Sequence, residues 1–297
     1  MGKEPVILDG KKLSAVVREI VAESTEELVP KLGRKPGLAV LLIGDNPASN
    51  VYVNSKEKNA KEVGFNSIVD RRSSDISEDE VLDIIRDWNV DESIDGILVQ
   101  LPLPKHIDEQ KVIEAIDPDK DVDGFSPINM GRLILQQDGF QPCTPAGIMK
   151  ILDYYEIETK GKHIVVIGRS NIVGKPIANM LFQKQDPGNA TVTVCHTGTK
   201  DLEKHTIGAD IIIAAMGVAE AITSDMVKDG AVVIDVGMNR VEDDTREKGY
   251  RLTGDVDLKN MKDKLYAYTP VPGGVGPMTI AMLLNNTYLS ASRKTSD

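Results

Sequence analysis

Tyr52 and Lys56 stand four residues apart in DNPASNVYVNSKEKNAKEVG, a spacing that sets both side chains on one face of a helix, with Ser55 and Asn59 close by. Asn46 and Pro47 mark the start of that helix, because proline is tolerated where the first N–H groups lack partners, and Gly64 marks its end. The face is polar where a clean apolar stripe would be usual. Its ordinary use is a solvated surface with the lysine stem lying over the tyrosine ring. The sharper alternative is that the face carries chemistry.

Gln100, in DGILVQLPLPKH, falls at the carboxyl end of an apolar strand, where two prolines stop the ladder and where open α/β sheets bind ligands. It either caps a turn or hydrogen-bonds a reacting group. KDVDGFSPIN alternates Asp119, Asp121 and Asp123, but lacks the glutamate that closes a calcium loop, so it reads as turn chemistry or as a single ligand-binding aspartate. TPVPGGVGPMT brings stiff proline and permissive glycine to a helix start. That stretch is a plain turn or a ligand lid, and as a lid it would bring Pro272 and Gly273 to the substrate.

HIVVIGRSNIVGKPIANML runs strand, glycine-rich turn, helix, the context a phosphate-binding turn requires. Gly168 takes the first position of GxGxxG, Ser170 stands where the second glycine belongs, and Gly174 comes one residue late. The next strand, ATVTVC, leads into Cys195-His196-Thr197, with no carboxylate to clamp the ribose hydroxyls of NAD. Arg169 offers a cation for an additional phosphate, so NADP is favoured over NAD; a closely packed turn that binds nothing is the bland alternative. Gly168-Arg169-Ser170 lacks the second glycine of a nucleophile elbow, and HxxxH, HExxH and CxxC spacings are missing, so no metal is expected.

A formal net charge of −11 argues against nucleic acid and against an anionic membrane surface as partners. The two cysteines, Cys143 and Cys195, are far apart, which suits a reducing cytoplasm. The N-terminus carries charges where a signal peptide needs an apolar core, and Val6 stands where a myristoylation signal needs Ser or Thr.

Positioning these residues requires strands and helices in alternation, and the chain supplies them. LAVLLIG, DGILVQL, HIVVIG, ATVTVC, DIIIAAMG and AVVIDVG read as buried parallel strands. Helical patterns lie near 11–30, 47–63, 77–88, 108–116, 145–156, 173–185 and 223–228, and another follows TPVPGGVG. The alternation implies βαβ units, and 297 residues imply two domains.

YVNSK, VQLPLPKH, DVDGF, GRSNIVGKP and PVPGGVGPMT, in this order over nearly the whole chain, resemble the bifunctional methylenetetrahydrofolate dehydrogenase/methenyltetrahydrofolate cyclohydrolase family. The resemblance implies NADP-dependent oxidation of methylenetetrahydrofolate to the methenyl cation, then hydrolysis to 10-formyltetrahydrofolate at the same site. It makes Lys56 the central catalytic residue, with Gln100 hydrogen-bonded to it, Tyr52 stacked near the pterin and aminobenzoyl parts of the folate, and Asp123 gripping the pterin. It places Gly168, Arg169, Ser170, Gly174, Thr197 and Met238 at the cofactor, with Thr197 standing where Ser or Arg is common. The expected architecture is two α/β domains with a cleft between them, the second a Rossmann-type doubly wound parallel sheet. Residues 1–147, completed by a C-terminal helix over 275–297, would bind folate, and 148–274 would bind NADP. A cytoplasmic homodimer is expected.

Short-chain dehydrogenases also use Tyr-x-x-x-Lys, but they carry their glycine loop before that pair, whereas here it follows by more than 110 residues. A (β/α)₈ barrel fits poorly with a glycine loop in mid-chain. A catalytically silent folate- or nucleotide-sensing module is the remaining rival, and the presence of both Lys56 and Asp123 speaks against it.

Overall fold

The computed structural model describes residues 4–246 and 249–295. The Met1-Gly2 start and the last two residues of the expected C-terminal helix lie outside the described residues.

The first elements in the chain are β1 (Val6–Ile7), α1 (Gly10–Leu32), β2 (Gly37–Ile43), α2 (Pro47–Glu62), β3 (Asn66–Arg72), α3 (Glu78–Val90) and β4 (Gly96–Val99). There follow α4 (Glu109–Ala115), α5 (Pro127–Ile134), α6 (Cys143–Tyr154), β5 (His163–Ile167), α7 (Gly174–Phe182), β6 (Thr191–Cys195) and α8 (Leu202–Thr206). The chain continues through β7 (Ile211–Ala214), β8 (Val232–Asp235), β9 (Asn239–Glu242), β10 (Tyr250–Thr253) and β11 (Ala267–Tyr268) to α9 (Val275–Arg293).

One compact unit gathers residues 15–143 with the described residues from Ile280 onward. Its parallel sheet has the order β3-β2-β4. GLAVLLI forms the central strand and is buried along its whole length, as a strand covered on both faces must be. Ala39, Leu41 and Ile43 pack there with Ile97 and Val99 of β4 and with Val81 and Ile85 of α3. Further along the chain, Ser290 on α9 donates to the carbonyls of Asp95 and Asp119 at 2.7 and 2.9 Å. Asn286 donates to those of Val122 and Gln141 at 2.9 and 3.1 Å.

The other unit gathers residues 144–279 with the described residues up to Ser14. Among the described residues its parallel sheet has the order β1-β11-β8-β7-β5-β6, and β9 and β10 form a separate antiparallel pair. After β5 the chain places β6 on one side and β7 on the other, the reversal that opens a ligand crevice at the carboxyl ends of a Rossmann-type sheet. Val165, Ile167, Ile212, Ala214 and Val233 form its core.

Several elements differ from the sequence expectations. The two-residue β1 pairs with β11, so the described residues up to Ser14 cluster with the second unit although the sequence assigns them to the first domain. ATVTVC reads as a buried strand, yet β6 ends the sheet, with Thr191 and Val194 exposed and only Cys195 buried. The helical pattern at 223–228 yields only a turn of 3-10 helix at Ser224–Met226. β3 escapes the hydrophobic pattern because Asp70, Arg71 and Arg72 fill its second half, and α5 is short and follows directly on the Asp-rich turn.

Candidate active site

α2 starts where its sequence says it should. The Asn46 side chain accepts from the N–H groups of Ala48 and Ser49 at 2.9 and 3.2 Å, with Pro47 next in line, and Gly64 turns the chain out at φ +86°. The buried face of the helix runs Ser49, Val53, Lys56, Asn59 and Ala60. Lys56 therefore occupies a position that a surface helix gives to an apolar residue, and it is only 7% exposed. Tyr52, one turn earlier, keeps 37% exposure, and partial burial raises its phenol pKa.

β2 places β4 beside it in register, and β4 ends at Val99, so Gln100 is the first residue past the ladder. Its backbone N–H donates to Leu41 O at 2.9 Å. Its side-chain Nε2 donates to Leu101 O at 2.7 Å, which turns Oε1 the other way, and Oε1 accepts Lys56 Nζ at 3.0 Å. Burial lowers the pKa of Lys56, while the charge of Asp123 and the Cys143 thiol pull it back up. Burial raises the pKa of Asp123, and Lys56 and Cys143 hold it down. The two groups are thus each other's principal electrostatic partner.

The turn that carries Asp123 is built by Asp121. This buried carboxylate accepts from the N–H groups of Gly124, Phe125 and Ser126 at 3.1, 3.2 and 2.8 Å, and from Asn129 Nδ2 at 3.0 Å. Gly124 takes φ +77°, and a Cβ there would lie 2.6 Å from the carbonyl carbon of Gln141. The three aspartates that alternate in the sequence thus separate: Asp119 pairs with Arg132, Asp121 holds the turn, and Asp123 faces the lysine. Cys143, which no sequence motif singles out, donates its thiol to Val122 O at 3.2 Å, and burial pushes its pKa well up.

In the second unit, Gly168 follows β5 at φ +136°, and a Cβ on it would fall 2.2 Å from Ala215 O. A Cβ on Gly174 would fall 2.3 Å from Gly168 O. The loop therefore closes on itself in the way a dinucleotide turn demands. Ser170, in place of the second glycine, accepts from the N–H groups of Val173 and Gly174 at 3.1 and 3.4 Å and so holds the turn just ahead of α7. Arg169 and Thr197 are exposed, and Met238 is 41% exposed just past β8. Pro272 is exposed and Gly273 takes φ +114°, with its carbonyl accepting from Lys11 N at 2.8 Å. The glycine turn and the exposed Arg169 guanidinium suit a phosphorylated dinucleotide.

Comparison with known proteins decides the lineage. The catalytic-domain profile of tetrahydrofolate dehydrogenase/cyclohydrolase matches residues 8–123, and the NAD(P)-binding-domain profile of the same enzymes matches residues 142–295. The chain belongs to the tetrahydrofolate dehydrogenase/cyclohydrolase family. It is 52% identical over 285 residues to the bifunctional protein FolD of Porphyromonas gingivalis, covering 96% of each chain. A crystal structure of the bifunctional FolD enzyme from Campylobacter jejuni is 51% identical with a TM-score of 0.91, covering 97% of this chain and 99% of that one. The Trypanosoma brucei dehydrogenase-cyclohydrolase, solved with NADP and an inhibitor, is 34% identical with a TM-score of 0.93, covering 99% of this chain and 100% of that one. For this family member, Lys56, Gln100 and Asp123 come together in one unit and the glycine loop lies in the other.

Proposed function

We propose that this chain oxidises methylenetetrahydrofolate with NADP and hydrolyses the methenyl product to 10-formyltetrahydrofolate. The observation that carries the reading is the buried Lys56 held by Gln100 at 3.0 Å, in a chain of this family.

Bound NADP would take up the hydride that leaves the substrate's methylene carbon, giving reduced cofactor and a methenyl cation spread over two nitrogens. That step needs no strong base, and positioning supplies most of it. The hydrolytic step does need a proton acceptor. Water adds to the methenyl carbon and gives up one proton; the second proton of that water then passes to the pterin nitrogen as its bond to the carbon breaks, leaving the formyl group on the other nitrogen. Lys56 accepts the proton. Its N–H donated to Gln100 Oε1 points the lone pair of the neutral amine away from the amide, and burial makes that neutral form accessible. Asp123 holds the pterin, Tyr52 lies along the folate, and Pro272 and Gly273 complete the substrate contacts. Gly168, Arg169, Ser170, Gly174, Thr197 and Met238 hold the cofactor, with Arg169 on the additional phosphate.

The test is a spectrophotometric assay with methylenetetrahydrofolate and NADP or NAD, following reduced cofactor and methenyl product together. Reduced NADP without accumulating methenyl species is expected. A failure to reduce either cofactor would leave a silent binding module in its place.

The protein acts in the cytoplasm as a homodimer. β6 ends the larger sheet and leaves Val194 41% exposed on an edge strand, a surface that a second copy can cover. Light scattering should give twice the chain mass of 32.4 kDa, and a monomer mass at assay concentration would end that reading.

A further inference from the structure

Two carboxylates of the second unit are buried and have no part in the chemistry described above: Asp235 at 1% exposure and Asp255 at 0%. Oδ2 of Asp255 accepts from the N–H groups of Met216 and Gly217 at 2.7 and 3.0 Å, in the loop that follows β7. Its Oδ1 accepts from Asn239 Nδ2 at 2.9 Å, at the first residue of β9 and next to Met238. A single side chain thus ties the end of β7 to the segment that leads from β8 into β9. Asp235 holds Asp255 from below, accepting from the N–H groups of Asp255 and Val256 at 2.9 and 3.0 Å and of Gly237 at 2.9 Å. Burial and the negative charge of Asp255 push the pKa of Asp235 up to about 6.

The fit is close enough to exclude side chains. A Cβ on Gly237 would lie 2.2 Å from Asp255 Oδ1, and one on Gly254 would lie 1.8 Å from Asp235 Oδ2. The tie also reaches the phosphate turn, because Gly168 packs on Ala215 O, the carbonyl immediately before Met216.

Topology says which part of a dinucleotide lies over this tie. The phosphate turn follows β5, and the ribose-reading position follows β6, so the adenosine half lies on the β6 side. The other half must then run across the sheet in the opposite direction, over the carboxyl ends of β7 and β8. We propose that Asp255 is a positioning residue for the nicotinamide half of the cofactor, fixing the Met216–Gly217 backbone and Met238 in the arrangement that receives it. This rests on the dinucleotide-binding reading given above.

Calorimetric titration of wild type, Asp255→Asn and Asn239→Ala with NADP and with adenosine 2′,5′-bisphosphate, which carries only the adenosine half, tests it. An amide at 255 would turn a donor toward backbone donors or lose one acceptor, so NADP should bind roughly tenfold more weakly while the bisphosphate binds as to wild type. Asn239→Ala, which removes one bond and leaves the buried carboxylate its backbone partners, should show the same pattern to a smaller degree. Equal weakening of both ligands, or unchanged NADP affinity in both variants, overturns the proposal. A wild type that binds NADP but turns nothing over would defeat the enzymatic reading, and the comparison of the two ligands would still decide the role of Asp255.

Discussion

At the scale of single residues, the lysine and the glutamine matter as a pair because a hydrogen bond from Nζ serves two protonation states. An ammonium and a neutral amine both donate to Gln100 Oε1, so the side chain stays placed while its lone pair becomes available. Gln100→Glu separates geometry from electrostatics. The carboxylate would still accept from Lys56, but an adjacent anion favours the ammonium, and the bond to Leu101 O would lose its donor. Wild-type cyclohydrolase activity should rise with pH and level off below the ordinary lysine value, because burial favours the neutral form. In Gln100→Glu the rise should move to higher pH, and the rate at pH 7 should fall roughly a hundredfold, the scale of a lost general base. A profile with the same midpoint as wild type would show that Lys56 is not the titrating group.

At the scale of elements, the turn from Asp121 to Ser126 is a device for presenting one carboxylate. Asp121 satisfies three backbone N–H groups and the Asn129 amide, and α5 begins directly after it. Asp121→Asn would set an amide N–H₂ against those donors, costing about 1–3 kcal/mol of stability. Its functional mark should be a roughly tenfold higher KM for folate with NADP affinity unchanged, since the turn and the glycine loop lie in separate units. An unaltered KM would mean that Asp123 keeps its place without the anchor. The same turn shows what the sequence can disclose. Residue alternation marked Asp119, Asp121 and Asp123 together, but only their hydrogen bonds distinguish anchor from ligand, because the three share composition and spacing. Helix α2 was legible at both ends from Asn46, Pro47 and Gly64, and the buried strands from their Val and Ile runs. β3 was not, since its charged end breaks the hydrophobic pattern, nor was β1, which is two residues long and exists through its pairing with β11. Asp255 escaped notice because its partners lie 16 to 39 residues away in the chain, and no local pattern records them.

At the scale of the whole molecule, the chain carries a net charge of −11 and yet takes an anionic cofactor, so long-range attraction contributes nothing to capture and binding depends on local groups. Arg169 is the exposed cation in the phosphate turn, and a guanidinium matches a phosphate better than a point charge does. Ligand that binds the folded state stabilises it by mass action: NADP at a hundred times its Kd should contribute about 2.7 kcal/mol and raise the melting temperature by about 5 °C or more. Arg169→Ala should lose most of that rise with NADP at the same concentration and keep the rise given by NAD, because only NADP offers the additional phosphate. The discrimination should also weaken as salt increases, since an exposed pair is screened within about 10 Å at 0.1 M ionic strength. If the variant loses the two shifts equally, Arg169 acts on the shared pyrophosphate and does not read the additional phosphate.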